Sequence, residues 1–430
     1  MKYNWLAIGM LSATLLGCTE GAAPAITAEG TGVARSNTSI ADEFVALMFA
    51  TENGTRIPRL LKYETPVRVA LDPALGAYRS DLEVVLGEMR SKSGLDIALS
   101  EGPAQIRIEE VPAAALRRAY PTAACVVVPG VSNFSQFLRG DFPRWSRQQS
   151  LTRATVLIPG GSAPYIVRAC LNEEIAQALG PVNDLYYVSD TVFNDDNVFN
   201  NLTDFDLLVL KILYSPELRS GMQEAAVRAQ LPRLLARLNP AGNRGSAQTA
   251  QKDRRWQAVI ETAMNTAVPR ARRISAATRA IARARSLGDH RLIHSLIIYG
   301  RLTLREQPSL AAPAFQEAYT LAQNQLGPNN LRTSLATMHI AAIALEAGKF
   351  AEVITLTTPA LATARRHNEP VIIAGIQGLR ALSFLKLGQI SLSEAARVDS
   401  LKQARYAFGN NAAQIATAQA QIEGLLPRQN

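Results

Sequence analysis

The sequence predicts an α+β domain followed by an all-α solenoid of helical repeats. Strand-like and helix-like runs alternate up to about residue 238. A stretch rich in turn formers, residues 239–252, comes next. In the last third, helix-ending residues fall at Gly288, Gly327, Asn368 and Gly409, with second turns at Pro308, Gly348 and Gly388. These turns recur at a period near 40, the spacing of a stacked helix-turn-helix repeat.

The chain begins Met1-Lys2, runs through an apolar stretch from Trp5 to Leu16, and reaches Cys18 after one small residue. A basic start with about a dozen apolar residues reads as a secretory signal peptide, residues 1–17, because a membrane-spanning helix needs roughly 20. Leu15-Leu16-Gly17-Cys18 resembles the bacterial lipobox. That resemblance implies a lipidated Cys18 as the first mature residue, tethered to a membrane surface without spanning it. An ordinary signal peptide cut elsewhere is the alternative. Thr19 supplies no aspartate retention signal, so resemblance to enterobacterial lipoproteins implies the outer membrane, facing the periplasm. Residues 18–40 are small, polar and punctuated by Gly and Pro, as expected of a flexible tether.

The chain has 3 cysteines, an odd number for an exported protein. Lipid on Cys18 leaves Cys125 and Cys170, which an oxidising periplasm is expected to pair; two buried thiols are the alternative.

The first domain is expected over residues 41–238. Val67 to Leu71, Leu95 to Leu99, Ile106 to Val111 and Ala154 to Ile158 read as strands, the last as an edge strand. Leu82, Val85, Leu86 and Met89 share one face of a helix over 79–92. A second helix is expected from Pro164 to Leu179, stopped by Gly180; a third is capped by Thr203 and runs to Tyr214. After the linker at 239–252, residues 253–426 carry the repeats. Their Ala- and Leu-rich intervals resemble longer tetratricopeptide repeats. That resemblance implies a curved solenoid whose groove holds a protein or peptide.

Residues 172–184 read N-E-E-I-A-Q-A-L-G-P-V-N-D. In the zinc-protease motif H-E-x-x-H-x-x-G-x-x-H, residues i and i+4 of a helix bring two imidazoles to one metal, and the intervening Glu polarises its water. Here Glu173, Gln177 and Asn183 stand at the ligand positions and Glu174 at that of the general base. The segment, followed by Thr191-Val192-Phe193-Asn194, Leu202-Thr203-Asp204 and Leu213-Tyr214, resembles matrixin-type metzincins. With V-F-N-D-D and L-Y-S-P-E-L-R-S-G-M it is more similar still to the bacterial domain of unknown function 2927, over about Phe44 to Met222. The resemblance implies a zincin-like, metzincin-type fold.

Neutral amides are poor zinc ligands, so no metal and no cofactor is expected. Glu174 reads as a salt-bridged or solvated glutamate; the alternative is general base of a divergent metallopeptidase. His290 and His294, four residues apart with Arg-Leu-Ile between and no carboxylate joining them, are expected to be structural.

Residues 18–245 carry 22 Lys and Arg against 25 Asp and Glu, whereas residues 246–430 carry 22 against 11. Arg270, Arg272, Arg273, Arg279, Arg283 and Arg285 recur along one helix of the basic half. They read either as a solvated repeat surface or as a patch for phospholipid headgroups or lipopolysaccharide phosphates. Nucleic acid is not expected for an exported chain. The function expected is a non-catalytic binding or scaffold lipoprotein of the envelope.

Overall fold

The computed structural model describes residues 35–121, 123–140, 144–194, 198–245 and 251–409. The expected signal peptide, Cys18, most of the tether, part of the 239–252 linker and the last stretch of repeats lie outside the described residues.

Order begins earlier than the sequence suggested. Arg35 is buried, and helix α1 (Asn37–Phe49) starts inside the segment expected as tether. The Ser36 side chain caps it by accepting from the Ser39 amide, and Ile40, Phe44, Leu47 and Met48 give it a core-facing stripe.

Strand β1 (Val67–Leu71), helix α2 (Arg79–Ser93), strands β2 (Ile97–Leu99) and β3 (Ile106–Val111), helix α3 (Ala113–Ala119), strand β4 (Val126–Pro129), helix α4 (Phe134–Leu138) and strand β5 (Ala154–Pro159) follow. The sheet order is β2-β1-β3-β5-β4. All neighbours are parallel except β4, which runs antiparallel to β5 with Val127 opposite Val156. The expectation that 154–158 forms an edge is corrected. Ala154, Val156, Leu157 and Ile158 are all buried, the near-continuous apolar pattern of an interior strand, and the edge is β4.

Helix α5 (Pro164–Ala178) carries the motif stretch and packs on β4 and β5. Helices α6 (Asp204–Leu213) and α7 (Glu224–Leu238) complete the region. Thr203 and Asp206 form a reciprocal capping box at the start of α6. The linker expected over 239–252 is partly built into the domain: residues 240–244 make a 3-10 turn against α7, the Asn239 side chain donates to the Asn37 side-chain oxygen, and the Asn37 amide donates to the Asn239 carbonyl.

The second region contains α8 (Arg254–Met264), α9 (Arg270–Leu287), α10 (Arg291–Thr303), α11 (Pro308–Leu326), α12 (Leu331–Glu346), α13 (Phe350–Arg366), α14 (Pro370–Lys386) and α15 (Ile390–Phe408). Successive helices pack together, compatible with a helical repeat. Helix ends fall at the turn residues of the 40-residue period; at Asn368 a non-glycine takes a left-handed φ of 51°. Gly300 fixes the spacing of α10 and α11, since a Cβ there would lie 2.6 Å from the Phe315 ring.

The helices divide into two kinds. Helices α9, α11 and α13 bury a narrow, alanine-rich face. Helices α10, α12 and α14 are buried around most of their circumference, polar positions such as Arg332, Thr333, Ser334 and Gln377 included. Neighbouring helices supply most of this cover, and the first region adds to it at Arg332 and Glu369 and through Val198 and Phe199.

Candidate functional site

Helix α5 starts at Pro164, where the missing N–H costs nothing, and ends at Gly180. Gly180 has φ of 141°, and a Cβ there would lie 2.6 Å from the Leu61 carbonyl oxygen. The turn therefore requires glycine. Beyond it Tyr214 donates its hydroxyl to the Leu179 carbonyl at 3.0 Å. The turn at Val192–Asn194 packs against α5 and hangs on Asp206, which accepts from the Thr191 hydroxyl and, at 3.2 Å, from the Val192 amide. Burial pushes the Asp206 carboxyl up to about 6, opposed by the Thr191 and Thr203 hydrogen bonds.

Tyr165, Ala169, Glu173 and Gln177, spaced by four, form one partly exposed stripe along α5. Glu174 lies off that stripe, 5% exposed, and its charge adds to the upward push that burial gives the Tyr120 phenol. Gln177 donates its amide to Asp184 at 3.1 Å. Asn183 is buried and donates to the Ala46 carbonyl of α1 at 2.7 Å. Both amides at expected ligand positions are thus engaged in bonds within the domain. Among the described residues no three His, Cys, Asp or Glu side chains converge as a metal site.

Cys125 and Cys170 form a disulfide with their Cα atoms 6.1 Å apart. The bond ties the segment entering β4 to the middle of α5, holding the motif helix beneath the edge of the sheet.

The helices of the second region lie over α5 and the loop that follows it. Tyr165 meets Phe408 of the α15 end edge-on at 5.4 Å. Arg168 donates to the Tyr406 carbonyl at 2.6 Å, lies 3.6 Å over the Tyr406 ring and pairs with Asp81 at 3.1 Å. At the opposite end of the solenoid Tyr186 meets Trp256 edge-on at 6.2 Å. Between them Arg332, at the start of α12, donates twice to the Ser189 carbonyl at 2.9 and 2.7 Å. Glu369, at the start of α14, accepts from the Asn200 amide at 3.2 Å and side chain at 2.9 Å. Burial drives the Glu369 carboxyl up to about 7, with the Asn200 bonds pulling it back. Val198 and Phe199 join the same apolar cluster as Leu331, Met338, Ile372 and Ile373.

The sequence-predicted basic set is largely spent within the chain. Arg270 bonds to Glu306 and to the Leu302 carbonyl, Arg273 donates to the Ala263 carbonyl at 2.9 Å, Arg283 pairs with Asp253 at 2.5 Å and Arg285 with Glu317 at 2.6 Å. Arg279 caps its own helix face by donating to Ser275 at 2.9 Å. Arg272 remains an exposed charge. Four of the six therefore neutralise nearby acids or helix ends instead of forming one free patch.

Residues 37–233 match the model of a family described as a protein of unknown function (DUF2927). The match covers α1 through most of α7, including the motif helix, its glycine turn and the capped α6. No curated protein and no solved structure matches the chain. The family match ends before the solenoid, so the residues that clasp α5 from the second region lie outside it.

Proposed function

We propose that the protein is a non-catalytic binding component of the bacterial envelope: exported, lipid-anchored through Cys18, facing the periplasm, with a degenerate metzincin-like domain and a tetratricopeptide-like solenoid. The observation that carries the non-catalytic reading is the use of Gln177 and Asn183 as hydrogen-bond donors to Asp184 and Ala46. An amide whose NH2 is committed this way retains only a carbonyl oxygen, a weak partner for zinc. The helix, the glycine turn and the Leu-Thr-x-x-Asp helix keep the order of a zinc protease, which supports common descent with that fold. The disulfide supports an oxidising compartment.

The solenoid's partner is in the first instance its own α/β region. Its helices meet Tyr165, Tyr186, Ser189 and residues 198–201, so the groove anticipated for a foreign peptide is largely occupied in cis. A protein partner then uses what is left: the space above the α5 stripe, or the exposed apolar end formed by Leu385, Ile390, Leu392 and Val398.

Elemental analysis of the purified full chain tests the reading against a Glu174-dependent metallopeptidase. Less than a tenth of an equivalent of tightly held transition metal is expected. A stoichiometric metal lost on Gln177→Ala, with peptide cleavage abolished by Glu174→Gln, overturns it.

A further inference from the structure

Exposed apolar side chains collect at one end of the helical region. Among its described residues, Leu310 is the one large apolar side chain exposed before residue 382. The others crowd the α14–α15 hairpin, where Leu382, Leu385, Leu392 and Val398 are exposed and Ile390 is 61% exposed. In the preceding hairpin, α12–α13, no described large apolar side chain is exposed, and α14 packs against both of its helices. Leu361 of α13 is 7% exposed, whereas Leu401, at the matching place one repeat later in α15, is 36% exposed. The last hairpin therefore lacks the cover that one more helix gives its predecessor. A contiguous apolar face of this kind marks a contact surface.

The chain itself continues from this hairpin. Residues 410–430 lie outside the described residues and leave from Gly409, which has φ of 77° at the end of α15. Gly327, with φ of 82°, reverses the chain between α11 and α12 in the same way. Ala407 and Phe408 share an apolar cluster with Val371 and Ala374, so the segment departs beside the first turns of α14. From Asn411 it reads N-A-A-Q-I-A-T-A-Q-A-Q-I-E-G-L-L-P. Asn411 with Gln414 three residues on is a helix-start signal, Ile415, Ala418, Ile422 and Leu425 recur at helical spacing, and Pro427 is a stop. Counted from the N-cap, Ile415 and Ala418 stand where α14 has Ile373 and Ile376, the residues through which it joins the apolar cluster of α12. A helix over 412–426 would be about 22 Å long, enough to run from the start of α14 to the level of Leu385.

We propose that residues 411–426 dock as a further helix on the exposed end of the α14–α15 hairpin, setting the stripe of Ile415, Ala418, Ile422 and Leu425 against it. Joined to α15 by a two-residue link, the segment meets this face at an effective concentration of about millimolar, ahead of a second copy of the chain. The end of the solenoid is then closed against self-association. Of the two places left to a protein partner, the space above the α5 stripe remains. The docking does not depend on the chain being non-catalytic, which metal analysis decides separately.

Hydrogen exchange of the full chain, read by mass spectrometry, is compared with that of a synthetic peptide of residues 410–430. Amides of 413–425 are expected to exchange about a hundredfold more slowly in the chain than in the peptide, at a concentration where light scattering gives the monomer mass. Leu382→Glu is expected to reduce that protection about tenfold and to leave α12 unchanged. Val84→Glu, on the exposed face of α2, is expected to alter neither. Exchange of 413–425 as fast in the unmodified chain as in the peptide overturns the proposal. Protection that rises with concentration alongside a dimer mass overturns it too, and assigns the face to a second copy. Protection unmoved by Leu382→Glu refutes docking on this hairpin; the first two outcomes need no variant to fold.

Discussion

The buried Arg35 of the α/β region and the buried Arg332 and Glu369 of the helical region find their partners in different places. In the α/β region the charge is balanced internally: Arg35, 1% exposed, pairs with Glu43 at 3.2 Å and with Asp190, and lies 4.3 Å over the Phe205 ring. Burial works against the Arg35 charge, but Asp190, Glu43 and Asp206 outweigh it and raise its pKa. In the helical region, the buried charges Arg332 and Glu369 bond to backbone and side-chain groups of the other region. The Arg35 network is thus closed within the first region, whereas Arg332 and Glu369 are satisfied across the contact; Arg291, paired with Asp289 at 2.5 Å, is balanced within the second region. A stacked repeat buries its core between neighbours, and its inner helices need a further surface only when their inner face is unusually covered, as here.

Breaking the internal network should have the largest effect. Arg35→Ala leaves two carboxylates buried without their cation, and a loss of about 3–5 kcal/mol is expected in urea unfolding. A loss below about 1 kcal/mol would refute the internal balance. Opening the disulfide by Cys125→Ser comes next: for a sequence separation of 45 the chain-entropy model gives up to about 4 kcal/mol. The same measurement in reducing buffer should show no difference between the two chains.

Arg332→Ala tests the contact side of the comparison. It leaves the Ser189 carbonyl without its charged donor, at a cost of about 1–3 kcal/mol. Proteolysis should accelerate at the 183–203 loop before the α/β core unfolds; unchanged cleavage there would show that the regions do not depend on this clasp.

Acidity offers a finer test. Burial above all raises the Glu43 and Glu369 carboxyls from the ordinary 4.5 to about 7 in the fold. The folded chain therefore holds protons that the unfolded chain has released. The associated stability is present below about pH 4.5 and is lost as pH rises through about 7. Thermal midpoints are expected to fall from pH 5 to pH 8, and Glu369→Gln should flatten the slope; an unchanged slope would remove Glu369 from the account. The smallest effect is assigned to Gln177→Ala, within about 0.5 kcal/mol, as its amide donates to a partly exposed Asp184.

Much of the local structure was legible. The α5 span, its Gly180 stop, the Thr203 cap and the turns at Gly288, Gly327, Asn368 and Gly409 follow from periodicity and capping within a few residues. Helix α1 carried readable signals too, Ser36 ahead of a stripe at Ile40, Phe44 and Leu47, but the small polar run before it masked them. Strand β4 was missed because Val126-Val127-Val128-Pro129 is short and ends in proline, which an antiparallel edge tolerates.

The candidate site was legible only on one side. The sequence determined that Glu173, Glu174, Gln177 and Asn183 occupy the zinc-motif spacing, because helical geometry fixes which of them share a face. Only the tertiary structure decided that Gln177 and Asn183 serve Asp184 and Ala46, and that Phe408 and Tyr406 meet Tyr165 and Arg168 of the same helix. Apart from the bond between Gln177 and Asp184, seven positions apart, those meetings join residues more than a hundred positions apart on different elements. No local periodicity records them, since they are set by how one region folds back over the other.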